Sequence, residues 1–174
     1  MYLKIKKIKG IEYAYLVTQK YNKKTKKRKQ KNNAFLGKVL QVDKTANLDL
    51  NDYLTISKEE FIDTNPVRSI FKKLIELELF NHGFVFDEKQ QLFVKDNLLV
   101  TAGCCKFKDS YNQSKFCLEI NQGFLSARSL DRLCEPLPKL LDDMARANLL
   151  AKKLKSEGLD PPPELFINIF KKMN

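Results

Sequence analysis

The chain has 174 residues, 43% of them apolar, with 32 Lys and Arg against 21 Asp and Glu. That length and apolar fraction suit a single domain with a sizeable core and exclude a disordered tail. No apolar run reaches the ~18 residues of a membrane-spanning helix, and the start MYLKIKKIKG lacks the apolar stretch of a secretory signal, so the expectation is a basic, soluble, cytoplasmic protein.

The net charge of +11 is concentrated. Residues 1–40 hold thirteen cations and one acid, Glu12, whereas the other 134 residues hold nineteen cations and twenty acids. Eight of those cations lie within twelve residues: Lys20, Lys23, Lys24, Lys26, Lys27, Arg28, Lys29 and Lys31. A polyanion is the natural counterpart of such a cluster, because each phosphate neutralised releases a condensed counterion. An anionic membrane would attract it too, but the run has almost none of the apolar residues that a surface-bound helix needs. The remaining reading is a solvated tip that serves solubility.

Residues 11–21, IEYAYLVTQKY, are β-branched and aromatic, which suits a strand. Alternation puts Ile11, Tyr13, Tyr15, Val17 and Gln19 on one face and Glu12, Ala14, Leu16, Thr18 and Lys20 on the other. Residues 22–25 are polar and can turn, and residues 27–42 return through Ala34, Phe35, Leu36, Val39 and Leu40, with Gly37 able to serve a bulge or a close backbone approach. The expected element is a two-stranded ribbon with its cations at the distal end, its aromatic face packed on the rest of the chain because an isolated hairpin is marginal. Such a ribbon can lie along phosphates or enter a groove, with Tyr15 or Tyr21 available for stacking.

The segment GIEYAYLVTQKYNKKTKKRKQKNNAFLGKV resembles the N-terminal segment of some DDE-class insertion-sequence transposases, through Tyr13, Tyr15, Leu16 and Val17, the run from Lys23 to Lys31, and Phe35-Leu36-Gly37-Lys38. The turn is Lys-rich here where that family's is Arg-rich, and the match covers about 30 of the 174 residues. The resemblance implies a shared nucleic-acid-contacting hairpin. It does not imply transposition, since this length leaves no room for the family's large catalytic domain.

Residues 41–56 read as a polar connector. Ser57-Lys58-Glu59-Glu60 is a capping box that starts a short helix. Asn65-Pro66 is expected to start the next, with Asn65 as cap and Pro66 in the first turn; Val67, Ile70, Phe71, Leu74, Leu77 and Phe80 follow at helical spacing, and Gly83 ends it. Residues 84–86, 92–94, 98–102 and 116–120 are strand candidates. A helix followed by hairpins would fit a winged helix presenting Arg68, Lys72 and Lys73 to DNA, but Glu76 and Glu78 dilute that charge and favour an ordinary core helix. Ser126 is a candidate cap for a helix holding Leu130 and Leu133. Residues 137–156 read as the longest helix, burying Leu137, Leu141, Met144, Ala151 and Leu154, and stopped by Gly158. A last helix with Leu165, Phe166, Ile169 and Phe170 either docks on the core, the preferred reading, or forms a partner site.

Little argues for catalysis. Cys104, Cys105, Cys117 and Cys134 lack the paired spacing of a zinc site, and without a secretory signal they read as structural thiols. The lone His82 has no evident orienting partner. Asp87-Glu88 and Asp142-Asp143 are adjacent acids of the kind that solvate a surface, and Glu119-Ile120-Asn121 lacks the lysine of a common nuclease triad. Phosphate-loop, dinucleotide and nucleophile-elbow motifs are absent from the sequence.

The sequence therefore predicts an α+β fold: a basic β-ribbon (residues 1–42) on a small mixed core (43–125), with a helical C-terminal third (126–174), together one compact unit. The expected function is non-enzymatic nucleic-acid binding, to DNA or RNA, without cofactor or metal. The alternative is an adaptor or assembly subunit, including one of a ribonucleoprotein, that binds a protein partner through its C-terminal helices and basic hairpin.

Overall fold

Lys9 and Gly10, at φ 50° and 82°, make the first turn of the chain; consecutive residues at positive φ give the turn whose twist suits a tight hairpin. They join β1 (Tyr2–Ile8) to β2 (Ile11–Asn22), antiparallel, with Ile8 opposite Ile11 and Tyr2 opposite Val17. β2 pairs in turn with β3 (Lys27–Gln41). The protein, seen here as a computed structural model, is described over residues 2–22, 26–54, 57–102 and 106–173, and for residues 19–22 and 27–33 by backbone alone. The expected two-stranded ribbon is thus flanked at its base by a third strand, whose Leu3 and Ile5 face inward while Lys4 and Lys6 are exposed.

Three helices follow: α1 (Leu50–Tyr53), α2 (Lys58–Thr64) and α3 (Val67–Asn81). Ser57 caps α2 as expected, its hydroxyl accepting from the Glu60 amide at 3.2 Å. Asn65 does not cap α3. Its Nδ2 donates to the Phe61 carbonyl at 2.9 Å, closing α2 instead, and Pro66 takes the cap position with extended backbone. A residue before proline is driven to extended geometry, which ends one helix there rather than beginning the next. Gly83, at φ 79°, ends α3, with the Phe84 amide bonded back to Leu79 O.

A four-stranded antiparallel meander comes next: β4 (Val85–Asp87), β5 (Leu92–Lys95), β6 (Leu98–Thr101) and β7 (Lys106–Asp109). The chain then returns to the first sheet. β8 (Phe116–Ile120) lies parallel to β3, with Lys38 opposite Phe116 and Gln41 opposite Glu119, and β9 (Gly123–Leu125) pairs with β8. The first sheet is therefore mixed, in the order β1-β2-β3-β8-β9.

The C-terminal third is helical: α4 (Ser129–Leu133), α5 (Asp143–Ser156) and α6 (Pro163–Met173). α4 begins after Arg128, so Ser126 stands ahead of it and accepts instead from the Arg128 amide at 3.3 Å. The expected helix over residues 137–156 starts only at Asp143, because the Asp142 carboxylate caps the Ala145 amide at 2.7 Å. Its apolar stripe is also different. Leu150 and Leu154 are buried, whereas Leu141, Met144 and Ala151 are exposed, Met144 at 78%. α6 docks as preferred, with Leu165 and Ile169 fully buried.

One large apolar cluster runs from Leu50 and Ile62 through α3, the meander and β8 to Leu130, Leu150, Leu165 and Ile169. A smaller one, Ala14, Leu16, Leu36 and Cys117, lies under the ribbon base, with Leu3, Ile5, Val39 and Phe124 against it. Ala14 and Leu16 of β2 thus enter this cluster, whereas of the face expected to pack, Tyr13 and Tyr15 are only half-buried and Val17 is fully buried.

Gly37 holds the two parts together. The register of β2 against β3 shifts between Ala14 and Tyr15, and Gly37 sits at φ 132° where that bulge meets β8. A Cβ there would overlap the carbonyl of Lys115 and the Cα of Phe116. Gly37→Ala should therefore destabilise the protein by about 2 kcal/mol or more, from backbone strain and overlap together. Denaturant unfolding of the two proteins checks this, and a loss under ~0.5 kcal/mol, the scale of an ordinary surface change, would refute it.

Candidate nucleic-acid interface

Beyond Val17 and Asn33 the β2–β3 ribbon has no further strand beside it among the described residues, because Tyr2 of β1 pairs no farther than Val17 and β8 joins β3 only from Lys38 onward. This distal segment spans residues 18–22 and 27–32. At the usual rise it extends about 17 Å. Its register sets Lys20 opposite Lys29, Tyr21 opposite Arg28 and Asn22 opposite Lys27, with a second irregularity between Thr18 and Gln19 that leaves Lys31 without a direct partner in the ladder. Lys26 lies at the turn, exposed and at φ 50°. Lys23 and Lys24 lie outside the described residues. The described cations of the run thus share one narrow ribbon, and like charges directly across an antiparallel pair oppose folding unless counter-charge is near.

The aromatic face lies at the base of this ribbon. Tyr15 is half-buried, its ring 5.5 Å from that of Phe35 and capped by the Lys6 ammonium at 5.0 Å. The Tyr13 ring also meets Phe35, at 6.1 Å between centroids. Phe35 itself stays 48% exposed. Tyr21 is placed by its backbone alone, opposite Arg28.

Beside Phe35 a groove of about 780 Å³ opens between the ribbon base and the edge of the meander. Strand alternation in β7 turns Phe107 inward, edge-on to Phe116 at 5.4 Å, and leaves Lys106 and Lys108 outward. Lys115 forms a backbone bridge with Lys108 and its carbonyl accepts the Lys38 amide at 3.2 Å, so it joins the same wall. Arg128 and Asp131 form the far side. Asp131 is already engaged, 3.1 Å from Arg68 and 3.7 Å from Arg128. Lys106, Lys108 and Lys115 make no ion pair among the described residues, so the groove is a net cationic surface with an aromatic ring in it.

Sequence reasoning missed Phe35 and these four cations. Phe35 was legible as Tyr15's cross-strand partner once the bulge at Gly37 was fixed; Lys106 and Lys108 lie on β7, which is not among the strands expected from the sequence, and Lys115 lies on the bridge beside it.

Comparison with protein-family models, with curated proteins and with solved structures finds no match to this chain.

The other residues singled out in the sequence take structural places. Arg68 pairs with Asp131, and Lys72 and Lys73 pair with Glu76 at 3.5 and 3.0 Å, so these cations of α3 stand beside acids rather than simply in solvent. His82 is buried at the end of α3, its Nδ1 2.7 Å from the Glu78 carbonyl, where a substrate has no access. Cys117 is buried in the smaller cluster and Cys134 is half-buried; burial raises both thiol pKa values, which disfavours the reactive thiolate. Cys104 and Cys105 lie outside the described residues. Among the described residues no group of three or more His, Cys, Asp or Glu side chains converges as a metal site.

Glu157 is a strongly perturbed carboxylate. It is 1% exposed at the end of α5, accepts the Ser129 hydroxyl in a short hydrogen bond, and lies 2.8 Å from Arg132 Nη1. Burial pushes its pKa up to about 7, with Arg132 and the Ser129 hydroxyl pulling only partly back. The folded protein thus binds a proton that the unfolded chain, near the ordinary 4.5, has already released. Stability should fall as pH rises from about 4.5 to 7, on the order of 10 °C in melting temperature for a chain of this size. Glu157→Gln should lose that part of the slope. Equal slopes in thermal melts of the two proteins would show that Glu157 does not control it.

Proposed function

We propose that this protein binds nucleic acid without catalysing a reaction, using the basic ribbon to contact phosphates. The observation that carries the reading is the placement of the described cations: of the eight in the run, Lys20, Lys27, Arg28, Lys29 and Lys31 lie on the distal part of the β2–β3 ribbon, with Lys20 in register opposite Lys29, and Lys26 lies at its turn. A narrow ribbon with cations on both strands can approach a phosphate backbone closely, and the anion relieves the mutual repulsion that opposes the ribbon when free. The resemblance of residues 10–39 to a transposase N-terminal segment points the same way. Phosphate contacts set position and affinity rather than sequence preference.

Neutralising the ribbon tests this. Lys24→Gln, Lys27→Gln, Arg28→Gln and Lys29→Gln together should weaken binding strongly and reduce the slope of log affinity against log salt by roughly 0.7 to 0.9 for each phosphate no longer neutralised. Melting temperature should not fall, because neutralising a run of like charges removes repulsion rather than attraction. Titrations of both proteins at several salt concentrations decide it. A folded variant with unchanged affinity and slope would leave the run as a solubility feature.

A second reading, an adaptor for a protein partner, draws on a different surface. Leu140, just ahead of α5, is fully exposed and Met144, in its first turn, is largely so, an apolar tip that the core does not use. Recovery of a stoichiometric protein partner that resists nuclease and is lost on Met144→Asp would favour it; recovery of nucleic acid alone would favour the ribbon.

A further inference from the structure

The groove beside Phe35 has a chemistry different from the ribbon's. The ribbon offers charge on a projecting element. The groove offers a flat ring within a concavity, flanked by Lys106, Lys108 and Lys115 on one wall and Arg128 on the other. Phe35 is held in place from beneath by contacts with Tyr13 and Tyr15, so its orientation is set before any ligand arrives, while 48% of its surface stays open. At about 780 Å³ the groove is of a size that accepts a small-molecule group such as a nucleotide. A base within a duplex has both faces covered by its neighbours. A ring in a concave groove can therefore stack only on an unpaired base, and stacking tolerates any base because each has a π face.

We propose that this groove is a subsite for a single-stranded nucleic acid, with one unpaired base stacked on Phe35 and its flanking phosphates on Lys106, Lys108, Lys115 and Arg128. The proposal rests on the nucleic-acid reading of the ribbon and adds strand selectivity to it. The ribbon holds phosphates of either form, and the groove separates single strand from duplex. Gly37 fixes the geometry, since the crossing it permits is what sets Lys115 and the β7 lysines beside Phe35.

The test measures fluorescence anisotropy of the full chain with oligothymidine, oligouridine, an abasic strand of equal length and a matched duplex. Phe35→Ala and Phe35→Leu are compared with the wild type and with the ribbon quadruple variant, and each protein is checked by a melting curve. Leucine keeps apolar volume against the two tyrosines but removes the flat ring, so it guards against a misfolded alanine variant. Both Phe35 variants should weaken binding to the base-bearing single strands by about tenfold, leave duplex and abasic binding within about twofold, and leave the salt slope unchanged, since stacking releases no counterions. The thymidine and uridine arms show whether DNA, RNA or both fill the subsite. The ribbon variant should instead weaken all four and flatten the slope. Equal loss, or no loss, on single strand and duplex in folded Phe35 variants would overturn the subsite while leaving the ribbon function standing. A wild type that binds none of the four would overturn both.

Discussion

The architecture turns on one close crossing, Gly37 of β3 against the backbone of Lys115 and Phe116 entering β8. Parallel strands cannot be joined by a tight turn, and here the connection between β3 and β8 carries α1 to α3 and the whole meander. Among the described residues the first three strands are paired by backbone to the rest of the first sheet along this seam, in a register that runs from Lys38 opposite Phe116 to Gln41 opposite Glu119. A side chain at position 37 would hold the two backbones apart. Without one, the seam closes, Cys117 enters the small cluster with Ala14, Leu16 and Leu36, and the aliphatic face of β2 is sealed.

The same crossing sorts the surface. With Ala14 and Leu16 committed inward, Tyr13, Tyr15 and Phe35 are left on the outer face, where they pack on one another rather than on the core. Lys115 is drawn to the base of the ribbon, and strand alternation brings Lys106 and Lys108 with it. A charged extension and a charged groove with an exposed ring thus follow from one backbone contact. The acids of the region do not cancel this charge, because Asp131 is already engaged by Arg68 and Arg128. The helical side of the molecule differs: its cations Lys72, Lys73 and Arg132 stand beside acids, and its titratable groups His82 and Glu157 are buried within the packing.

Local signals in the sequence determined a good deal. The α+β class, the ribbon of β2 and β3, the Ser57 cap, the end of α3 at Gly83, the pairing of β4 with β5 and the docking of α6 all follow from periodicity and capping chemistry, which act between near neighbours. The clustering of positive charge before residue 40 is likewise a property of the sequence alone. β1 was legible in the alternation Leu3-Lys4-Ile5-Lys6, but its short apolar set gave little contrast with a charged tail. What only the tertiary structure decided is which of two adequate faces is buried. Leu141, Met144 and Ala151 keep helical spacing with Leu154, yet the Asp142 cap starts α5 late and turns Leu150 and Leu154 to the core. Tyr13, Tyr15 and Val17 make the more apolar face of β2, yet of these only Val17 is fully buried, while Ala14 and Leu16 of the other face enter the small cluster. Periodicity gives the spacing of a face but not its partner, and the exposed ring and cations beside that seam come from contacts between residues far apart in the chain.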